Sequence, residues 1–556
     1  MDAAAARLNR LFLEELDALD RFSSGRDADG VMHLGPEDPD VRRLVEAMAF
    51  FSARTRAAGA EAAEAAVIRM AGGTLDELLA PMPAAAMVLA APDGRLVGPT
   101  TLATGALLRF QFIDPAYAGA RRAPAFDLGT PTPTGQRVGF FTTLQPVVIR
   151  PMKVDRALIS GARRALQLEI RLSAGVPQKD PVGLDFYVRR QGDYRASLAL
   201  HVALQRHTAS VVALFDDVEV EVQCSVQFGP RAPTSPADEG DCRHPLARMR
   251  SFFHFPEQDL YVCVDVPAAA RPWKTLTLRF TLDAGWPEEQ GVSNDSFQLH
   301  VVPAVNTWSD FTAPIVFDGT SAVIPLRSAA VTREAAEATG VRGVYQVDRK
   351  MAPLLPLALG NQGDGYEVVR PPDAGAPRLR LRLSGAFETP RKLLADVTWS
   401  QPSLWPSSPG QIDVTPQQKA LPGVSFGLVG SVRRPQTSVL ALDPARCLDV
   451  MALKMRPVLD REGVVGMMEV LGATGDSAYR GYPAFLDDLT SKDAADPVLR
   501  AGGVKHVYQV SLRPQAPAPA PAEALLARFG EKIATLLDAW TQDAVDIHTT
   551  PSAETP

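Results

Sequence analysis

Between about residue 85 and residue 440, short runs with an apolar residue at every second position keep returning: "ALLRFQF", "ALQLEIRL", "VEVEVQCSV", "TLTLRFTL", "SFQLHVVP" and "RLRLRLSG". A period of two sends successive side chains to opposite faces, so each run reads as a half-buried strand. Pro and Gly fall between the runs, where turns are needed. A helix needs a period near 3.6, so this long middle cannot be a bundle. The middle must be built from sheets, and 556 residues are too many for one compact unit.

The two ends read differently. Leu8, Phe12, Leu16 and Leu19 space out as one amphipathic helix. A second begins at Asp38, a suitable N-cap, with Pro39 where its missing N–H costs nothing. Val41, Leu44, Val45, Met48 and Phe51 follow helical spacing, and Gly72 and Gly73 supply a stop. A further helix is expected from Thr74 to before Pro81. Near the other end, "ARCLDVMALKMRPVLDREGVVGMMEVL" holds one or two helices and "VKHVYQVSL" a strand. "PQAPAPAPAEA" reads as extended. Leu525, Phe529, Ile533, Leu536, Leu537 and Trp540 then mark a strongly amphipathic helix, followed by a loose tail, "HTTPSAETP". The expected architecture is multidomain α+β. Residues 1–84 form a helical region, 85–155 a β-rich connecting domain, 156–300 and 301–440 β-rich, sandwich-like domains, and 441–556 an α+β domain.

Several function classes drop out. The formal net charge is −7, and no basic run interleaves with aromatics, so nucleic acid is not an expected partner. No stretch approaches eighteen uncharged apolar residues, so no spanning segment is expected. The first twenty residues carry acidic groups where a signal peptide needs a basic end. Cys224, Cys242, Cys263 and Cys447 show no C-x-x-C spacing. Free thiols in a reducing cytoplasm are the simplest reading, and one disulfide among the four stays open.

Three stretches invite a chemical reading. "FFHFPEQDLYVCVDV" at 252–266 gathers His254, Glu257, Asp259, Cys263 and Asp265. Only His254 and Cys263 are good zinc ligands, too few for a site. In a strand, Asp259, Cys263 and Asp265 would share one face and Leu260, Val262 and Val264 the other, which is amphipathic patterning. His254 falls in a loop before Pro256. "GVSFG" at 423–427 matches the nucleophile elbow G-x-S-x-G, with His506 or His548 as a later base for Ser425. The elbow needs a strand before and a helix after, whereas Pro422 and then Gly430 and Pro435 interrupt both. "GNQGDG" at 360–365 lacks the Lys-Ser/Thr ending of a phosphate loop and reads as a hairpin turn at Asp364-Gly365. No catalytic residue, metal or cofactor is expected.

What remains is packing. Phe50 and Phe51 widen the Val41–Phe51 surface beyond one stripe, so this helix must be covered on more than one side. The cover could come from within the fold or from another subunit.

"EDPDVRRLVEAMAFFSARTR" followed by "TLDELLAPMPAAAMV" resembles the TssF (VasA/ImpG) family of type VI secretion baseplate subunits. "FFTTLQPVVIRPMKV", "GLDFYVRRQGD", "RSFFHFPEQDLYVCVDV", "VPAVNTWSDFTAPIVFDGTSAVIPL" with Asn306 and Pro314, and "VYQVDR" resemble later family elements in the same order. The colinear run covers roughly residues 37–350, and the last third diverges. The resemblance implies a structural role in a contractile, phage-tail-like injection machine. Such a subunit is cytoplasmic, in a baseplate docked at the inner face of the cell envelope. It would pair with itself, with TssG and with TssK around the spike, forming a wedge in the platform for sheath and tube. On that footing, Val41, Leu44, Met48, Phe50 and Phe51, with Leu525, Phe529, Ile533, Leu536 and Trp540, are expected as inter-subunit packing residues. A serine hydrolase built on Ser425 and a β-sandwich ligand-binding module are the alternatives.

Overall fold

The computed structural model describes residues 3–26, 39–113, 136–161, 166–218, 220–231, 245–329, 336–357, 363–371, 375–404, 411–417, 421–495, 504–513, 520–540 and 545–551. Its helices are α1 (Ala3–Arg26), α2 (Pro39–Leu79), α3 (Tyr194–His207), α4 (Pro245–His254), α5 (Val439–Leu442), α6 (Pro444–Lys454), α7 (Arg461–Val470) and α8 (Ala520–Trp540). Strands fill most of the stretch between α2 and α5, so the chain is α+β, as its periodicities require.

Two large antiparallel sheets dominate. One runs in the order Gln411–Pro416, Leu107–Ile113, Gln136–Thr143, Val301–Val305, Ala85–Pro92, Val424–Arg433. It cuts across the linear division, taking strands from 85–155 and from 301–440. The other has eight strands, all between Met152 and Gln298, with Trp273–Leu282 and Tyr261–Val266 inside it. Smaller sheets follow. One is centred on Arg391–Ser400; another, near the C-terminus, pairs Leu486–Ala495 with Val504–Leu512 and adds Val545–Pro551 in parallel.

Asn306 ties the six-stranded sheet to the sheet of Arg391–Ser400. It is fully buried, and its Nδ2 donates to the Phe140 carbonyl at 2.8 Å. Its Oδ1 accepts from the Gln401 backbone N–H at 2.8 Å and from Ser400 Oγ at 3.2 Å. Gln401 continues the network: its Oε1 accepts from Phe140 N and its Nε2 donates to the Val138 carbonyl. A buried polar group is tolerated only when its partners are all present, as here.

The largest core gathers helices from both ends of the chain. Ile68, Ala71, Leu75, Leu78 and Leu79 of α2 enter it with Phe252 and Phe253 of α4, Met467 and Met468 of α7, Tyr508, and Phe529 and Ile533 of α8. Tyr479 is its hub, with ring centroids 5.3–6.3 Å from Phe252, Phe253, Tyr482, Phe529 and Tyr194, and its hydroxyl 2.6 Å from that of Tyr194. The backbone leaves helical geometry at Leu75 (φ −129°, ψ 22°), just past Gly72 and Gly73, so α2 is two helices that meet at a kink, as the glycines and the separate helix expected before Pro81 foretell. The short second helix carries Leu75, Leu78 and Leu79 into the core.

The end of α2 leaves carbonyls that need donors. Arg250 Nη1 donates to those of Glu77 and Ala80 at 3.0 and 2.7 Å, and Ser438 Oγ donates to that of Leu78. Arg370 Nε donates to Asp76 at 2.9 Å. Just beyond, His254 Nε2 donates to the Pro83 carbonyl at 2.8 Å, and its Nδ1 meets the Gln436 side-chain amide at 3.2 Å. On α3, His201 Nε2 donates to the Tyr261 carbonyl, and its Nδ1 accepts from Arg528 of α8.

Other expectations are corrected. α8 starts at Ala520, inside the Pro/Ala run, and the start of the tail is a strand, Val545–Pro551. α3 goes unread in the sequence, although Asp193 caps it by accepting from the Arg195 and Ala196 N–H groups. "SFQLHVVP" is two strands, because His300 takes a left-handed conformation (φ 60°) between them.

Two predictions follow from these buried groups. Asn306→Ala strands several buried partners at once and should cost roughly 2–3 kcal/mol, read as a lower urea midpoint with an unchanged slope. His201, His254 and His300 are buried, and burial lowers each imidazole from 6.5 to about 4. The folded chain therefore binds fewer protons than the unfolded one between pH 4 and pH 6.5. This contribution is whole above pH 6.5 and is lost as pH falls, at about 1.4 kcal/mol per pH unit per histidine. The thermal midpoint should drop steeply on acidification through that window, and His254→Gln should flatten the slope by one histidine's share.

Candidate interaction surfaces

The stretch 252–266 is a structural junction. His254 is not in a loop; it ends α4, and Pro256–Asp259 form a short 3-10 turn. Asp259 therefore leaves the strand and pairs with Lys532 Nζ of α8 at 3.0 Å, while the same ammonium lies 4.0 Å from the centre of the Phe252 ring. Glu257 is half-buried, and its partial loss of solvent pushes its carboxyl up. The strand Tyr261–Val266 is covered on both faces, with only Asp265 exposed, because it lies inside the eight-stranded sheet with helices over it. The amphipathic pattern expected for it is thus wrong. Burial pushes the Cys263 thiol up to about 12 and those of Cys224 and Cys447 up to about 11, which makes them poor nucleophiles and ligands. These three cysteines are unpaired, and Cys242 lies outside the described residues. Among the described residues no group of three or more His, Cys, Asp or Glu could hold a metal ion.

"GVSFG" is not an elbow. Ser425 sits near the start of the strand Val424–Arg433, and its Oγ donates to the Ala91 carbonyl at 3.3 Å. Gly423 is required by a turn: its φ is 83°, and a Cβ there would lie 2.8 Å from the Leu96 backbone nitrogen. His506 belongs to the C-terminal sheet and is bound to Asp493 at 2.7 Å. Among the described side chains, which do not include that of His548, no base is oriented toward Ser425, and the strand that follows Ser425 in place of a helix overturns the elbow reading. In "GNQGDG", Gly360–Gln362 lie outside the described residues. Asp364 accepts from the Ser384 N–H and hydroxyl, and those bonds hold its carboxyl below the usual range. The strand from Gly365 pairs with Arg378–Arg382 further on, so Asp364-Gly365 opens a strand and does not turn a hairpin. The run "PRAPTSPADEGD", which reads as a mobile loop, falls almost wholly outside the described residues.

The expected packing residues divide in two. On α8, Leu525, Phe529, Ile533 and Leu536 are sealed in the chain's own core and Trp540 is half-buried, its Nε1 donating to the Arg456 carbonyl. As inter-subunit residues these are corrected: α3, α4 and the C-terminal sheet already cover them. On α2 the named side chains are more exposed. Between Pro39 and Ala66 only Ala49 and Ala53 are buried. α1 lies antiparallel along this part, held by Arg56–Glu15, Arg42–Asp20 and Arg7–Glu64. Val41 is half-buried, whereas Leu44 (64% exposed), Met48, Phe50 and Phe51 (66%) are open. Leu44, Met48, Phe51 and Thr55 form a 4-3-4 stripe turned away from the face that packs on α1. The helical run from Pro39 to the kink at Leu75 is about 50 Å long, so α1 and the first half of α2 make an arm that projects from the core entered at Ile68.

Sequence reasoning missed a second open stripe, on α6. Ala445, Leu448 (47% exposed), Ala452 and Met455 (85%) recur at 3-4-3 spacing while Cys447 and Val450 face the core. The spacing is legible in "ARCLDVMALKM"; which of its two apolar faces would be covered is not.

No helix among the described residues is long and apolar enough to cross a membrane. A search of curated protein sequences finds no match. The chain resembles one solved structure, the type VI secretion system TssK-TssF-TssG baseplate subcomplex seen by cryo-electron microscopy, at 16% identity and a TM-score of 0.70. That match covers 92% of this chain and 96% of the other. It also resembles a chain of the type VI secretion baseplate complex, at 13% identity and a TM-score of 0.56, covering 98% and 96%. At such identities the likeness establishes a shared fold, and it extends through the divergent last third. The family model described as "Type VI secretion system, TssF" matches residues 30–368, more than half the chain. By that match, the chain belongs to the TssF family of the type VI secretion system.

Proposed function

We propose that this chain is a structural subunit of a type VI secretion baseplate. It assembles with TssG and TssK subunits and with a second copy of itself to form a wedge around the spike. Its task is to hold parts in place and to let them rearrange on firing; it makes and breaks no bond. It works in the cytoplasm, in a platform docked at the inner face of the cell envelope, on which sheath and tube are built.

The observation that carries this reading is the family match, whose colinear segments include both the arm helix and the 252–266 junction. The arm supports it, because a helix that leaves two adjacent phenylalanines open beside Leu44 and Met48 is built for cover from another molecule. One solved structure of the same fold comes from an assembly with TssK and TssG, the source of the partner assignment.

The test is co-purification of the full chain with a TssG subunit from the same organism. A stable complex is expected. Phe51→Asp should lower its yield by about tenfold or more, since covering a phenylalanine contributes about 1.5–3 kcal/mol. The thermal midpoint of the isolated chain should not move, because Phe51 is already two-thirds exposed. Failure to bind TssG, or labelling of Ser425 by a serine-directed fluorophosphonate, would overturn the assignment.

A further inference from the structure

The strand Arg378–Arg382 runs through the middle of a three-stranded sheet, with Ile324–Pro325 on one side and Gly365–Val369 on the other. Its sequence, "RLRLR", sends Leu379 and Leu381 into the core and Arg378, Arg380 and Arg382 to the opposite face. Residues two apart on a strand are about 6.6 Å apart, so the three arginines stand in a row about 13 Å long. The positions across from them do not balance this charge. Arg380 lies opposite Glu367 and bonds to it at 2.9 Å, but Arg69 of α2 holds the other oxygen of the same carboxylate at 3.0 Å. Arg378 lies opposite Val369 and Pro325. Arg382 lies opposite Gly365, where a Cβ would come within 2.6 Å of the Leu355 carbonyl oxygen. Asp364, whose carboxyl feels the charge of Arg391 and Arg382, is bound to Ser384. Arg378 and Arg382 are exposed and join no ion pair among the described residues.

Four arginines thus gather round Glu367, in a chain whose formal net charge is −7. Neighbouring like charges on a sheet face repel, and this sheet offers Arg378 and Arg382 nothing to offset that repulsion. Each guanidinium is a planar fork that grips a carboxylate through two parallel hydrogen bonds. We propose that this face is a docking surface for an acidic segment of a partner polypeptide, whose carboxylates take the open forks of Arg378 and Arg382. The proposal rests on the assembly reading and gives the chemistry of one contact with the TssK and TssG subunits. The sign of the charge selects the occupant. A basic segment would be repelled, and a second copy docked about a two-fold axis through this face would set arginine against arginine. The spacing narrows the choice further. The two carboxylates must lie about 13 Å apart, as they do four residues apart in an extended segment. The residue midway between them meets the Arg380–Glu367 pair, where a further acidic group has no open fork to fill.

The test titrates the full chain with TssK and TssG subunits from the same organism, at low and at physiological salt. Arg378→Glu/Arg382→Glu should weaken the complex by about tenfold or more at low salt and flatten its salt dependence. The thermal midpoint of the isolated chain should not fall, because neither guanidinium has an ion-pair partner in the chain to lose. Arg156→Glu/Lys274→Glu makes the same change in net charge on two exposed side chains of the eight-stranded sheet and should leave the complex as it is. An unchanged affinity in the Arg378/Arg382 variant overturns the proposal. So does an equal loss in the Arg156/Lys274 variant, which would reduce the effect to net charge. Retention of the wild-type chain on phosphatidylglycerol vesicles, lost with Arg378→Glu/Arg382→Glu, also overturns it, since the face would then serve a membrane. Binding of TssK and TssG that ignores the reversal refutes this contact alone, and failure of the wild-type chain to bind them refutes the assembly reading.

Discussion

The far end of α2 is the point on which the rest of the molecule depends. A long helix ends in carbonyls that cannot be left dry, and this one ends inside the protein. Its donors come from two distant places, Arg250 on α4 and Ser438 ahead of α5, while Arg370 pairs with the Asp76 carboxylate beside them. The positive guanidinium of Arg250 is favoured there by the helix dipole as well as by hydrogen bonding. Burial lowers it from 12.5 to about 10, so it is a charge held at some cost and kept in place by the carbonyls it serves. One helix end thus recruits residues from the middle and the last third of the chain, and the arm's direction is set where they meet.

The same junction explains why a stretch that looks chemical is not. His254 and Asp259 are polar because each answers a buried or half-buried partner on another segment, Pro83 and Lys532 respectively. His201, on a helix the alternating runs obscured, does the same for Tyr261 and Arg528. Residues that would be ligands or general bases at an active site act here as connectors between segments.

The legibility of the sequence divides along physical lines. The strand runs "TLTLRFTL", "ALQLEIRL" and "RLRLRLSG" are strands in the fold, because alternation is a local property of a half-buried sheet. The pairing of Ala85–Pro92 with Val301–Val305 and Val424–Arg433 is not local, and no pattern within a strand encodes its neighbours. Helical spacing found the apolar residues of both α2 and α8. It could not say that three elements would close over Phe529 and Ile533 and none over Phe51, since periodicity identifies a face that needs cover and not what supplies it. Gly72 and Gly73 were legible for a local reason: a glycine pair weakens the helix by about 1 kcal/mol per residue, and the backbone kinks at Leu75 just beyond them.

The six-stranded sheet also constrains how the chain is made. Ala85–Pro92 lies between two strands that follow it by more than two hundred and more than three hundred residues, so one of its hydrogen-bonding edges stays open until Val305 has left the ribosome and the other until Arg433 has. The eight-stranded sheet, closed within Met152–Gln298, can form while the first strand still waits. Synthesis therefore carries a long interval in which an apolar strand is bare, the condition under which nascent chains are captured by chaperones or by one another.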